Sequence, residues 1–242
     1  MNRGVSAGTL KILACISMVV DHITYCFIPE YVLGAENVWY YLGRGIGRSA
    51  FVIFSFLLVE GFFNTSNLKK YCLRLLFLAL LSEVPFDFMC KRLDENNFLN
   101  LQNILFTFLI ALISMYVLEF LKKAYLGKSV VKYSIFGALI CSMAFLAVHF
   151  LRIDYGVVGL GLVYIFYFFR NTGGVLCAAV VVWSIACLFL EHQLEWAGLI
   201  ALIPIVKLYN GERGMDSKWL FYTLYPLHML LLGFLQNVVS TR

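Results

Sequence analysis

The strongest constraint on this chain is a recurring one: apolar stretches long enough to cross a lipid bilayer follow one another with few interruptions. A bilayer core requires about 20 apolar residues in a helix. Hydrocarbon offers no water to bond an open backbone, so spanning segments must satisfy their own peptide groups. Read with that ruler, the 242 residues divide into about nine segments, within a range of eight to ten: 10–28, 38–63, 71–90, 99–121, 133–150, 155–169, 175–190, 194–209 and 219–239. The fifth to eighth are short enough to tilt or re-enter. No repeat, low-complexity tract or linker divides them, so residues 1–242 are expected to form one integral membrane domain of the all-α class, a polytopic transmembrane helical bundle in the lipid bilayer.

Composition narrows the function classes. Hydrophobic residues make up 62% of the chain and charged ones 14%, with a mean hydropathy of +0.84, which excludes an ordinary soluble domain. The formal charge of +5 is spread between apolar segments, without the basic patch and interleaved aromatics that nucleic acid requires, so no nucleic acid partner is expected. Seven cysteines, an odd number with no CxxC pair, read as reduced small hydrophobes. The first apolar stretch lacks a small-residue cleavage pattern and continues through Asp21 and His22, so it is expected to stay as the first span.

Lysine and arginine in short loops set orientation. Arg3, Lys11, Lys69, Lys70, the four lysines between 122 and 132, Arg170, Lys207, Arg213 and Lys218 fall on alternate connections, while Lys91, Arg92, Arg152 and Arg242 fall on the others. Twelve against four predicts a cytoplasmic N-terminus, an outside C-terminus and an odd number of spans in the cell membrane.

Ionisable residues within spans cost roughly 2.5–3.5 kcal/mol or more at mid-depth and normally face protein or a wet cavity. Asp21 and His22 lie about 16 Å into a core of about 30 Å, close to the midplane. Arg44 and Arg48 stand four apart on one helical face, among Gly43, Gly45 and Gly47, which permit close approach of another backbone or a ligand. Glu83 and Asp87 share a face of the third segment around Pro85, and Gln102 and Asn103 open the fourth. His228 sits about mid-depth in the last segment, while Glu60 and Arg74 lie at matching inner depth and are expected to pair.

Seven stretches together resemble the TraX family: LKILACISMVVDHI, GRSAFVIFSFLLVEGFFNTSN, YCLRLLFLALLSEVPFDF, QNILFTFLIAL, DYGVVGL, LYNGERG and FYTLYPLHMLLL. They occur in the family's order over nearly the whole chain. That family is named for a conjugation protein linked to N-terminal acetylation of pilin, and is related to membrane acyltransferases with a histidine in an early span. The resemblance therefore implies acyl transfer from acetyl-CoA, as co-substrate, to an amine or hydroxyl of an envelope protein or polymer.

Such a reaction needs a base, donors for a developing oxyanion and a seat for a polyanionic donor. His22 is the candidate base, or alternatively the carrier of a transient acyl group. Asp21 points about 100° away from its neighbour and is expected to pair with Arg44 or Arg48. Glu83, Asp87 or Tyr225 then remain as orienters of His22. Arg48 can stabilise an oxyanion or grip a carboxylate or phosphate. Arg74 with Asn210 and Arg213 of the LYNGERG turn is the candidate coenzyme seat, and Arg44, Gln102, Asn103, His228 and Tyr225 the candidate acceptor contacts. Buried ion pairs that only fix helix register are the plainer reading of Arg44, Arg48, Glu83 and Asp87. Glu191, His192 and Glu195 lack metal-ligand spacing, so no metal is expected. A transporter using the same charges would call for inverted repeats and matching broken helices, and the sequence reading finds a single kink, at Pro85. A non-catalytic assembly protein is the third alternative.

Overall fold

The computed structural model describes residues 4–33, 35–93, 100–191, 208–214 and 218–240. Among them are eight helices and one two-residue hairpin: α1 (Ala7–Phe27), β1 (Tyr31–Val32), β2 (Ala35–Glu36), α2 (Val38–Asn64), α3 (Leu68–Met89), α4 (Ile104–Tyr125), α5 (Val130–Phe150), α6 (Gly156–Phe169), α7 (Gly173–Glu191) and α8 (Lys218–Ser240). The eighth expected segment, 194–209, lies almost wholly outside the described residues, as do His192 and Glu195.

Local chemistry sets where the helices begin. Five start on a serine or asparagine whose side chain accepts from a backbone N–H of the first turn: Ser6, Asn37, Asn67, Asn103 and Ser129. Each cap satisfies one of the donors a helix start leaves open. The Asn103 cap places the start of α4 at Ile104 rather than at residue 99. Residues just before it are used instead in a parallel bridge, Gln102 to Ile153.

Among the described residues, four helices, α1, α2, α4 and α5, are long and apolar enough to cross a membrane. α3 is of similar length but carries Glu83 and Asp87 within it, and Pro85 lies in its interior. Pro226 lies in the interior of α8, so the second half of the chain does have an in-helix proline to set beside Pro85. The protein is a helical membrane protein. Among the described residues, the most extensive interface joins α1 to α2, followed by α3 with α8 and α4 with α5.

Gly43 and Gly47 explain the first of these. A Cβ on Gly43 would run into the Thr24 side chain, and one on Gly47 into the Asp21 carboxylate. Two missing side chains one turn apart let α2 lie directly against the polar face of α1.

Candidate functional site

A cavity of ≈ 1060 Å³ runs along this α1–α2 interface. One end is walled by Lys11, Lys70, Arg74 and Arg213, together with the turn between α2 and α3. Its waist is apolar, with Met18, Phe51, Leu58, Leu78 and Phe108 on the wall. The other end holds Asp21, His22, Arg44, Arg48 and Tyr225. On α1 the lining residues Lys11, Cys15, Met18, His22 and Tyr25 follow the three-and-four spacing of a single helical face. One stripe of one helix thus leads from the basic end to the histidine.

At the polar end Asp21 and Arg44 form an ion pair, Oδ1 to Nη1 at 2.7 Å, and Asp21 is 5% exposed. The Arg44 guanidinium also lies 5.5 Å from the centre of the Tyr25 ring. Arg48 is buried and sits 5.0 Å over the ring of Tyr155. His22 Nδ1 lies 2.6 Å from Nε2 of His228, and His228 Nδ1 lies 2.7 Å from the Leu224 carbonyl oxygen. The two imidazole planes differ by 3°. Tyr225 flanks the pair, its ring centre 5.9 Å from that of His228.

The remaining expected residues have other neighbours. Glu83 Oε2 accepts from the Asn103 side chain at 2.5 Å and from its backbone N–H at 3.2 Å. Asn103 also donates to the Ala79 carbonyl while capping α4. That cluster braces α3 against α4, and neither Glu83 nor Asn103 reaches the cavity wall. Asp87 is fully buried, off the cavity wall, on the turn of α3 whose Asp87 carbonyl accepts from Arg92 N. Gln102 is held by its backbone, N–H to the Arg152 carbonyl and carbonyl to the Asp154 N–H. The partner of His22 is therefore His228 and not Glu83 or Asp87. Glu60 pairs with Arg170, Oε1 to Nε at 2.6 Å and Oε2 to Nη2 at 3.2 Å, and not with Arg74 as depth alone suggested. Arg170 caps the end of α6, where its fork meets the carboxylate in bidentate fashion.

The LYNGERG turn is tied to the start of α1. Ala7 N and Gly8 N donate to the Glu212 and Arg213 carbonyls, Val5 pairs with Tyr209, and Asn210 Oδ1 accepts from Glu212 N. Two N–H groups that a helix start leaves open are thereby satisfied by a segment some 200 residues distant. Arg213 reaches the cavity from this turn, whereas Asn210 shapes the turn itself.

Wall residues outside the sequence-based set include Lys11 and Lys70 at the basic end and, at the polar end, Asp154 and Tyr155. Tyr155 has φ +57°, the left-handed region that a bulky side chain rarely enters. Asp154 holds it there: Oδ1 accepts from Tyr155 N at 3.0 Å, while the Asp154 carbonyl accepts from Thr107. Burial pushes the Asp154 carboxyl above its ordinary value, against the opposing pull of Arg48 and the Tyr155 N–H. The only sequence signal was their place in DYGVVGL, a stretch without a role in the chemistry first assigned.

A bundle of membrane helices enclosing a polar-ended cavity with a histidine pair defines the class: an integral membrane protein with a polar cavity among its helices. The TraX protein family model matches residues 6–236, and the chain belongs to that family. It is also 28% identical over 243 residues, covering 96% of this chain and 97% of the relative, to a protein of Dichelobacter nodosus described as "Probable fimbrial assembly protein FimC, serogroup H1". No solved structure matches the chain.

Proposed function

We propose that this protein is a membrane-embedded acyltransferase that moves an acetyl group from acetyl-CoA to an amine or hydroxyl of an envelope acceptor, such as a pilin N-terminus or surface polymer. The observation that carries this reading is one continuous cavity with a basic end, an apolar waist and His22 at its far end. Lys11, Lys70, Arg74 and Arg213 supply positive charge for a polyphosphate head group. The waist accommodates a long, weakly polar arm, and its course along α1 from Lys11 to His22 spans about 16 Å by helical rise. His22 accepts a proton from the attacking group, and Arg48 faces the charge that grows on the carbonyl oxygen. The surplus of lysine and arginine on one set of loops orients the basic end to the cytosol, within a nine-span arrangement that ends outside the cell membrane. Membership of the TraX family and the fimbrial relative support a pilus-related setting.

The test is purified protein in lipid nanodiscs with radiolabelled acetyl-CoA, wild type against His22→Ala, following CoA release and the fate of the label. Release should fall about 10²–10⁴-fold in the variant, the usual worth of a general base. Turnover that is unchanged by the substitution, or absent from folded wild type with every acceptor supplied, would sink the reading. The in-helix prolines of α3 and α8 favour one alternative, a transporter with paired broken helices. Its signature is solute or proton flux across sealed proteoliposomes without any CoA release.

A further inference from the structure

The two imidazoles at the end of the cavity admit one neutral arrangement of protons. His228 Nδ1 lies 2.7 Å from the Leu224 carbonyl oxygen, which has no hydrogen to give, so this nitrogen carries a proton and donates it. A neutral imidazole has a single N–H, which leaves His228 Nε2 with a lone pair. His22 Nδ1 stands 2.6 Å from that lone pair. Two bare nitrogens would repel, so His22 Nδ1 is the donor, and by the same count His22 Nε2 carries no proton.

Geometry supports the alignment. With ring planes 3° apart and centres 4.9 Å apart, a 2.6 Å nitrogen contact is that of two rings meeting edge to edge in nearly one plane. The N–H therefore points along the lone pair it meets, the direction in which a hydrogen bond is strongest.

We propose that His228 is a positioning residue which, anchored on the Leu224 carbonyl, fixes His22 in the Nδ1–H tautomer and so makes Nε2 the basic atom at the cavity wall. The kinetic half of this proposal rests on the acyl-transfer reading; the tautomer half does not. During transfer, the acceptor nitrogen or oxygen forms its bond to the thioester carbonyl carbon as its proton passes to His22 Nε2. The resulting imidazolium keeps its Nδ1–H bond to His228. Because the Leu224 carbonyl cannot take a proton onward, the pair offers no exit on that side. The proton returns from Nε2 to the sulfur as the carbon–sulfur bond breaks, giving amide or ester plus free thiol with no further reactant.

The experiment uses full-length protein with ¹⁵N-labelled histidine in nanodiscs. The four histidines are assigned by single His→Gln variants and the tautomer is read from imidazole nitrogen shifts. Wild type should show His22 protonated at Nδ1 and bare at Nε2. His228→Leu should move His22 toward the Nε2–H form that imidazoles favour in solution, while His228→Gln, whose amide oxygen still accepts, should hold the wild-type form. In the CoA-release assay His228→Leu should lower kcat by about 10²-fold with KM changed by less than about three-fold, and His228→Gln should recover at least about ten-fold of the loss. A His22 that stays in the Nδ1–H form in His228→Leu overturns the proposal, as does equal loss of kcat in the Leu and Gln variants. A tautomer change in a protein that releases no CoA supports the assignment of His228 and overturns the acyl-transfer reading alone.

Discussion

Two helices of nearly equal mean hydropathy, α2 and α5, meet opposite fates. Most of the most apolar 18-residue stretch of α2 is buried inside the protein, and little of that of α5. In water such a difference would call for a difference in apolar content. In a bilayer lipid tails are as apolar as leucine, so hydrophobicity alone gives a helix no reason to prefer protein. What separates the two is charge within the span and glycines set against a polar neighbour. α2 brings Gly43 and Gly47 against α1 and supplies Arg44 to Asp21. α5 turns Ile135, Leu139, Met143 and Leu146 outward and buries only Gly137, Ala144 and Val148.

That contrast can be broken most severely at its polar contact. Arg44→Met leaves the Asp21 carboxylate buried beside the cavity without its cation, which should cost about 3 kcal/mol in bilayer or micelle unfolding. Adding Asp21→Asn should return part of that loss. Gly47→Val comes next, because the new side chain meets the Asp21 carboxylate directly; about 1–3 kcal/mol is expected from overpacking, accompanied by weaker protection of α1 amides in hydrogen exchange. Asn103→Ala acts away from the α1–α2 seam, removing the α4 cap and the bonds to Glu83 and Ala79. A loss of about 1–2 kcal/mol is expected, with CoA release changed little if the brace is purely mechanical. At the far end of the scale, Leu139→Ile on the exposed face of α5 should shift stability by less than about 0.5 kcal/mol. A larger effect there would mean that α5 is covered by something other than lipid.

Much of this plan was legible in the sequence because its elements are local. Apolar length located the helices to within a few residues, and the glycines around Arg44 marked a place of close approach. Asp21, His22, Arg44 and Arg48 stood out because charge at mid-depth is expensive. The pairings were harder, since they depend on which helices are neighbours. Depth matched Glu60 to Arg74, but Arg170, 110 positions away in sequence, reaches it from the end of α6. His22 and His228 lay at similar depth in the sequence reading, yet nothing in either segment announces that α8 packs beside α1. Glu83 read as an orienter of the site because carboxylates at that depth have few uses; its engagement with Asn103 needed the α3–α4 contact to be seen. Asp154 and Tyr155 were passed over because a single acid at the mouth of an apolar segment looks like an ordinary boundary.

The histidine pair joins positions 206 apart, one on the first helix and one on α8, and the start of α1 is closed by the turn at 208–214. During synthesis α1 emerges into the membrane long before either partner exists. His22 then meets His228, and the cavity mouth gains Arg213, only after nearly all of the chain has been translated and inserted. A polypeptide stalled or cleaved before α8 would carry most of the cavity wall yet lack the partner of His22, so under the proposed role of His228 competence arrives late and at a single stage of biogenesis.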